Sequence, residues 1–214
     1  MSQARIERVV TRGTFTLDGE TFDVDNNVWL VGDDEEVLVV DAAHDARTIH
    51  AAVAGRRVTA IVCTHAHDDH IDAAPALSAL TGAPVLLHPD DHELWSLTHP
   101  ARKPDGELTD GRVLRVAGIA LHVLHTPGHT WGSCCLHAPS LTAVLTGDTL
   151  FHGGPGATGR SYSDRPAIEA SIRARLLTLP GDTVVHTGHG QDTTIAAERS
   201  TVPASPAPLS DPAP

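Results

Sequence analysis

The chain contains few aromatic residues, few cysteines and a single lysine, Lys103. Phe, Trp and Tyr make up only 3% of the residues, so the core must rely on Val, Leu, Ile and Ala. The three cysteines are Cys63, Cys134 and Cys135, and two of them are adjacent, so no disulfide framework is expected. The preference for arginine over lysine, together with abundant alanine, indicates a GC-rich genome.

Long apolar runs are also missing. The first ten residues contain no apolar signal core. No segment approaches the ~18 apolar residues of a membrane span. A formal net charge of -12 argues against binding to a phosphate backbone. These features predict a cytoplasmic protein that binds neither membranes nor nucleic acid.

The apolar pattern predicts a mixed α/β protein of one domain over residues 1–200. A proline- and alanine-rich segment over 201–214 is expected to be a flexible tail. Asp164 and Pro166 indicate the start of one predicted helix, because they suit its cap and first turn. Strands are predicted at 25–31, 37–40, 58–63, 85–88, 119–124, 133–137, 142–146 and 183–186, and helices at 45–54, 69–80 and 164–179.

One predicted strand leads directly into a segment rich in histidine and aspartate, from His65 to His70. His65 and His67 stand two residues apart on a loop and can converge on one metal ion. Asp69 and His70 begin the next helix and can face a second ion. Imidazole nitrogen and carboxylate oxygen suit Zn²⁺, with Fe²⁺ and Mn²⁺ as alternatives. An exposed polar turn is the alternative interpretation of this segment by itself.

Three further candidates each follow an apolar strand. His129 stands in Pro-Gly-His, Asp148 in Gly-Asp, and His189 in Gly-His-Gly. The glycines allow the backbone to bend close to a metal ion. Loops that follow strands of a sandwich meet at one edge of the sheets, so these residues are expected to share one site.

In this order, the four segments resemble the metallo-β-lactamase superfamily and, within it, the glyoxalase II-like hydrolases. The resemblance runs from about Asn26 to about Thr194. It implies an αββα sandwich with two divalent metal ions. It also implies that Asp41 orients a ligand histidine, for which a strand-end cap is the alternative. The implied ligands are His65, His67 and His129 for the first metal, Asp69, His70 and His189 for the second, and Asp148 as a bridge between them.

A glycine-rich segment over 153–164 follows Asp148. It lacks the lysine of a phosphate-binding loop. The resemblance places it beside the metals, which implies that Arg160 and Tyr162 contact the substrate, unless they only pin the loop. The segment also looks like that of an actinobacterial branch of the family.

The resemblance implies hydrolysis by a hydroxide that bridges two metals, with Asp69 and Asp148 orienting groups or accepting a proton. A thioester of a low-molecular-weight thiol is the expected substrate. Because the chain ends soon after His189, no glutathione-binding helical domain is expected, and an acyl-mycothiol is the hypothesis. The alternatives are a persulfide dioxygenase with one iron, a lactone or other ester hydrolase, and a metal-binding module without catalysis. A homodimer is the default expectation for a compact enzyme.

Overall fold

Two six-stranded sheets stack at the centre of the fold. The structure is a computed structural model and describes residues 3–203. The strands of the first sheet, in spatial order, are β1 (Arg5–Leu17), β2 (Glu20–Gly32), β3 (Glu36–Val40), β4 (Arg57–Val62), β5 (Val85–Leu87) and β6 (Gly106–Glu107). The long β1–β2 hairpin is antiparallel and joins an antiparallel β3, after which the sheet continues in parallel.

The second sheet contains one parallel pair. Its strands are β7 (Val113–Val116), β8 (Ile119–His125), β9 (Cys134–Ala138), β10 (Ala143–Gly147), β13 (Val184–Thr187) and β14 (Thr193–Thr194). Their spatial order is β14-β13-β10-β9-β8-β7, and only β10 and β13 are parallel. A separate short hairpin pairs β11 (Leu150–Phe151) with β12 (Gly154–Pro155).

Helices cover both outer faces of the stacked sheets. They are α1 (Ala46–Val53), α2 (Asp68–Ile71), α3 (Ala74–Thr81), α4 (His92–Thr98), α5 (Arg165–Ser171) and α6 (Ile195–Glu198). Asp45 caps α1 and Asp164 caps α5 through hydrogen bonds to backbone N–H groups, as side-chain oxygens do at helix starts. None of the helices in residues 3–203 is long and apolar enough to cross a membrane.

The core has three apolar layers. The central one lies between the sheets and includes Trp29 and Val62 from one sheet and Leu121 and Leu145 from the other. A second layer packs α1, α3 and α4 on the first sheet, and a third packs α5 and α6 on the second. Burial of this apolar area is the main stabilising contribution. The αββα sandwich expected from the resemblance is confirmed.

The structure differs from the predicted elements in two helices. The helix predicted over 69–80 is interrupted, because the N–H of Ala73 donates to Ala42 and Pro75 has no N–H to continue the ladder. The helix predicted over 164–179 changes after Ser171 into a π-helical turn, Ile172–Leu176.

The predicted boundary of the tail at residue 200 is too early. Val202 is buried in the outer apolar layer of α5 and α6, and Thr201 donates a hydrogen bond to Glu198. The remainder of the predicted tail, 204–214, lies outside the described residues.

The candidate site lies where several strands end. Asp41 follows β3, the His65–His70 segment follows β4, Asp148 follows β10, and the Gly188-His189 pair follows β13. His129 lies in the loop between β8 and β9. The sandwich therefore gathers at one edge the residues that the sequence places far apart.

Candidate metal centre

Three buried histidines form a first cluster. The Nε2 atom of His65 lies 3.1 Å from Nδ1 of His67. The Nε2 atom of His129 lies 3.0 Å from the same Nδ1. The three rings meet edge to face, with interplanar angles of 79–89°. Three nitrogen atoms thus converge on one small volume.

Hydrogen bonds on the far side of two of the rings, those of His65 and His129, fix their orientation. His129 donates from Nδ1 to the carbonyl of Ala157 at 2.9 Å. His65 Nδ1 lies 3.1 Å from the hydroxyl of Thr64, which itself donates to Asp41. With the protons on these outer nitrogens, the inner nitrogens present lone pairs to one another. Facing lone pairs are stabilised by a cation between them, as in a zinc site.

Burial keeps His65 and His67 of this first cluster neutral. It lowers the pKa of His65 well below the usual value, and the neighbouring histidines lower it further. It lowers the pKa of His67 to about 3, and His129 adds to this effect. A metal binds only the neutral imidazole, so these two histidines can bind a cation without releasing protons at neutral pH.

A second cluster contains Asp69, His70 and His189. The Nε2 atoms of the two histidines lie 3.2 Å apart. Oδ2 of Asp69 lies 3.3 Å from His189 Nε2 and 3.5 Å from His70 Nε2. The outer Nδ1 atom of His189 donates to the carbonyl of Asp25 at 2.8 Å. The inner atoms of the cluster are therefore free to face one ion.

Asp148 lies between the two clusters. Its Oδ2 atom is 3.6 Å from Nε2 of His129 and 3.4 Å from Nε2 of His189. Its Oδ1 atom is 3.4 Å from His70 Nε2, yet it is buried and has no hydrogen-bond partner. A buried carboxylate oxygen without a donor is costly in a protein. One carboxylate in contact with both clusters has the geometry of a bridge between two ions.

The second cluster requires positive charge. Burial favours neutral His189, but the Asp148 and Asp69 carboxylates outweigh it and raise its pKa to about 10. Burial also favours neutral His70, but the Asp69 and Asp148 carboxylates outweigh it and raise the pKa of His70. The pKa of Asp69 falls to about 2, since His70 and His189 outweigh its burial. Divalent cations would supply this charge in place of protons, so the donor set fits metal binding at both clusters.

Asp41 supports both clusters from one position. It is buried, and its backbone φ of 56° lies in the left-handed region. Its Oδ2 atom accepts a hydrogen bond from His70 Nδ1 at 3.0 Å and one from the Thr64 hydroxyl at 2.8 Å. It therefore orients His70 directly and His65 through Thr64, as outer partners of metal-binding histidines do.

Two supporting residues were not singled out from the sequence. Asp91 is buried and accepts hydrogen bonds from Ala66 N, Thr130 Oγ1 and Gly132 N at 2.6–2.9 Å. It thereby joins the loop of His65 and His67 to the loop of His129. Nothing in the local pattern sets it apart from Asp90, which is exposed.

The other is Asn26, which donates from Nδ2 to Oδ2 and to the carbonyl oxygen of Asp69, both at 2.9 Å. A signal for it does exist in the sequence, since two asparagines interrupt the apolar strand β2. Both Asn26 and Asn27 are buried and hydrogen-bonded, as buried polar side chains usually are.

Two glycines allow close approach of the backbone at the site. A Cβ atom on Gly188 would overlap Oδ1 of Asp148 and contact Cε1 of His70. A Cβ atom on Gly147 would overlap the Thr64 hydroxyl, and its φ of 49° also favours glycine. The Gly-Asp and Gly-His pairs of the sequence thus have a steric basis.

Two adjoining cavities lead away from the clusters. One, of about 160 Å³, is lined by Asp69, Asp148 and His189, among others. The next, of about 70 Å³, shares Phe15 and two histidines with it and reaches Arg160. Arg160 thus lies on the cavity wall, and its contact with a substrate stays a prediction.

Tyr162 is not among the residues that line these cavities. Its hydroxyl donates to Glu93 at 3.2 Å, and its ring packs against the core layer of the first sheet. The structure thus places Tyr162 where it pins the loop, which was the alternative to its predicted role in substrate contact.

Sequence comparison identifies several relatives. The chain is 35% identical to an uncharacterized protein of Aquifex aeolicus over 187 residues. This alignment covers 81% of this chain and 89% of that protein. It is 37% identical over 171 residues to the hydroxyacylglutathione hydrolase of Pseudomonas aeruginosa, or 77% of this chain and 62% of that enzyme. It is also 37% identical over 161 residues to a Mycobacterium leprae protein, or 66% of this chain and 73% of that protein.

Solved structures share the fold. BLEG-1 B3 metallo-beta-lactamase superimposes with a TM-score of 0.77 at 29% identity, covering 90% of this chain and 98% of that one. TTHA1623 in a di-iron-bound form superimposes with a TM-score of 0.74 at 34% identity, covering 84% of this chain and 95% of that one. ETHE1 from Myxococcus xanthus superimposes with a TM-score of 0.71 at 27% identity, covering 91% of this chain and 83% of that one.

Residues 21–189 match the metallo-beta-lactamase superfamily, whose members bind divalent metals. The chain therefore belongs to the metallo-beta-lactamase superfamily of metal-dependent hydrolases.

Proposed function

We propose that this protein is a dinuclear hydrolase that cleaves a thioester of a low-molecular-weight thiol. The observation that carries the dinuclear part is the position of Asp148, whose carboxylate faces His129 of one cluster and His189 of the other. Bound divalent ions, of which Zn²⁺ is expected, would activate water and polarise the scissile carbonyl. The likeness to a di-iron-bound structure at 34% identity supports two metals.

The carboxylates have distinct tasks in this proposal. Asn26 holds Oδ2 of Asp69, so that carboxylate is fixed in place. Oδ1 of Asp148 is buried without a hydrogen-bond partner, and a bound cation would take the place of the missing donor. His65, His67 and His129 would hold the first metal, and Asp69, His70 and His189 the second.

Attack by water also fits the absence of a competing thiolate. The described cysteines, Cys63, Cys134 and Cys135, are all buried. Burial raises the pKa of Cys135 to about 11 and that of the other two well above the usual value. A thiol is nucleophilic only as its thiolate, so none of these side chains suits covalent catalysis.

Similarity to hydroxyacylglutathione hydrolase supports a thioester substrate. The chain spans only 62% of that relative's length, so the identity of the thiol is a separate question. The glycine-rich loop and the likeness to a Mycobacterium leprae protein favour an acyl-mycothiol.

A substrate panel tests this proposal. The metal-loaded protein is assayed with matched S-acyl thioesters of mycothiol, glutathione and coenzyme A, and with a lactone, an oxygen ester and a β-lactam. We expect the highest kcat/KM for the mycothiol thioester. Equal kcat/KM for the three thiols would overturn the mycothiol assignment, and turnover of only the lactone or ester would overturn the thioester assignment.

The second candidate is a persulfide dioxygenase with one iron held by two histidines and an aspartate. The likeness to ETHE1 is compatible with it. Against it, the structure brings together a complete second cluster, Asp69, His70 and His189. Oxygen consumption with glutathione persulfide, absent for the hydrolase and present for the dioxygenase, separates the two.

A further inference from the structure

His44 lies in the loop between β3 and α1 and belongs to neither cluster. Its backbone φ of 61° lies in the left-handed region, and its side chain is only 6% exposed. A non-glycine residue in this conformation is strained, and such strain is retained mainly where the surrounding structure holds a side chain in one place. The backbone is thus strained at a point where it buries this ring.

A glycine in the edge strand makes room for the ring. A Cβ atom on Gly13 would overlap Nδ1 and Cγ of His44. Gly13 pairs with Val24 in the middle of the β1–β2 hairpin, where glycine weakens a strand and no turn requires it. The close approach of the imidazole therefore explains the glycine at this position.

Acceptors lie at both nitrogens of the imidazole. Nδ1 is 3.2 Å from Oδ2 of Asp72, and Oδ1 of Asp72 accepts the backbone N–H of His44 at 2.6 Å. Nε2 is 2.9 Å from Oδ1 of Asn26, whose side chain is buried. Asp72 thus holds the backbone and the ring of His44 together, while the far edge of the ring contacts the Asn26 amide.

The orientation of the Asn26 amide follows from its other contacts. Its Nδ2 atom lies 2.9 Å from both the carbonyl oxygen and Oδ2 of Asp69. Both atoms are acceptors, since the pKa of Asp69 is about 2 and its carboxylate is ionised. The opposite orientation would place the amide oxygen against two buried acceptors, which is unfavourable. Oδ1 of Asn26 therefore faces His44, and the Nε2–H group of His44 is the donor.

These contacts form a closed chain of hydrogen bonds that starts and ends at α2. Asp69 lies in this helix, and Asp72 follows its last residue. From Asp72 the contacts run through His44 and Asn26 back to Asp69. The Asn26 amide can rotate only if it breaks hydrogen bonds at both of its ends. The direction of the Asp69 carboxylate is thus fixed by a ring that does not contact it.

We propose that His44 is a positioning residue, which holds the Asp69 carboxylate toward the second metal through the Asn26 amide. The inference rests on the proposed dinuclear centre and deepens it, because it names a residue outside both clusters that controls one of them. Loss of a direct partner of a metal ligand weakens metal binding about 10- to 100-fold. His44 acts one contact further out, so we expect about a tenfold effect at the second site and none at the first.

Two substitutions of His44 separate its two contacts. In His44→Asn the side-chain nitrogen lies near the former Nδ1 and can donate to Asp72, but it cannot reach Asn26. In His44→Gln it lies near the former Nε2 and can donate to Asn26. Titration with Zn²⁺ against a chromophoric chelator should show about tenfold weaker binding at the second site in His44→Asn, with affinity close to wild type in His44→Gln.

Stability should rank the same two variants in the opposite order. Asparagine tolerates the left-handed backbone better than glutamine, so metal-free His44→Asn should unfold at the higher temperature. Second-site affinity that follows this order of stability, or that falls equally in both variants, would overturn the proposal. The control is His50→Asn, which changes an exposed histidine of α1 and should alter neither site.

A measurement on the wild type needs neither a variant that folds nor a bound metal. Proton–nitrogen NMR of isotope-labelled, metal-free protein should show a proton on Nε2 of His44 that is protected from exchange with water. An Nε2 atom without a proton would overturn the proposal. A protected proton together with only one bound ion per wild-type chain would contradict the dinuclear centre and retain the positioning of Asp69 by His44.

Discussion

Oδ2 of Asp41 accepts a hydrogen bond from Nδ1 of His70 at 3.0 Å and another from the hydroxyl of Thr64 at 2.8 Å. Because Thr64 also contacts His65, one buried carboxylate orients a ring of each cluster. Outer partners of metal ligands fix the ring orientation and raise its basicity. The two clusters are therefore coupled through the Asp41 carboxylate.

Asp41→Asn should weaken metal binding about 10- to 100-fold. Asparagine tolerates the left-handed backbone at this position but lacks the charge that supports His70. Titration with Zn²⁺ against a chromophoric chelator measures the change. Thr64→Val removes the hydroxyl between Asp41 and His65 but leaves the hydrogen bond from His70 to Asp41, so it should weaken the first site more than the second. Unchanged affinity at both sites in Asp41→Asn would contradict this role.

Asp91→Asn should destabilise the fold by about 2 kcal/mol, because an amide NH₂ group replaces an oxygen that accepts buried hydrogen bonds. Urea unfolding of the metal-free protein gives the free energy of unfolding. Asp90→Asn changes the exposed neighbour and serves as the control, with a change within ~0.5 kcal/mol. Equal effects of the two substitutions would show that Asp91 does not hold the two loops together.

Gly188→Ala should abolish metal binding at the second cluster while the fold persists. Its Cβ atom would overlap Oδ1 of Asp148 and displace the carboxylate. Gly190→Ala is the matched control, since its Cβ would meet open space and only its positive φ costs about 1 kcal/mol. Elemental analysis of the two purified variants distinguishes them, and full metal content in Gly188→Ala would contradict the steric argument.

Removal of the metals should make stability depend on pH. In the metal-free protein the pKa of His189 is raised from 6.5 to about 10, mainly by Asp148 working against burial. A raised pKa stabilises the fold fully below pH 6.5, and this contribution is lost as the pH rises toward 10. Thermal unfolding of chelator-treated protein should therefore show a falling Tm over that interval. Addition of Zn²⁺ should raise Tm and remove this trend, since the ion binds the folded state and replaces the proton. A metal-free Tm that stays constant from pH 6.5 to 10 would contradict this description of the second cluster.

The sequence predicted best those features that depend on residues close to one another along the chain. An apolar strand precedes each of three features: the segment from His65 to His70, the Gly-Asp pair and the Gly-His pair. Their convergence was therefore predictable from strand ends alone. Helix α1 was predictable because Asp45 caps it and Ile49 and Val53 repeat at helical spacing.

Features that depend on distant contacts were not predictable. Strand β1 was missed because its exposed, polar alternation has little apolar signal, and pairing with β2 along its whole length defines it. Asp91 has no local sign of its role, since its three donors come from two other loops. The break before α3 depends on Ala42, which lies about thirty residues earlier and accepts the N–H of Ala73.

Metal content per chain is the most direct test of the dinuclear centre. Protein purified without added metal is analysed by elemental mass spectrometry, beside His67→Ala, which removes a nitrogen shared by the contacts of the first cluster. We expect about two divalent ions per chain in the wild type and about one in the variant. A single iron in the wild type, left unchanged by addition of Zn²⁺, would contradict the dinuclear centre.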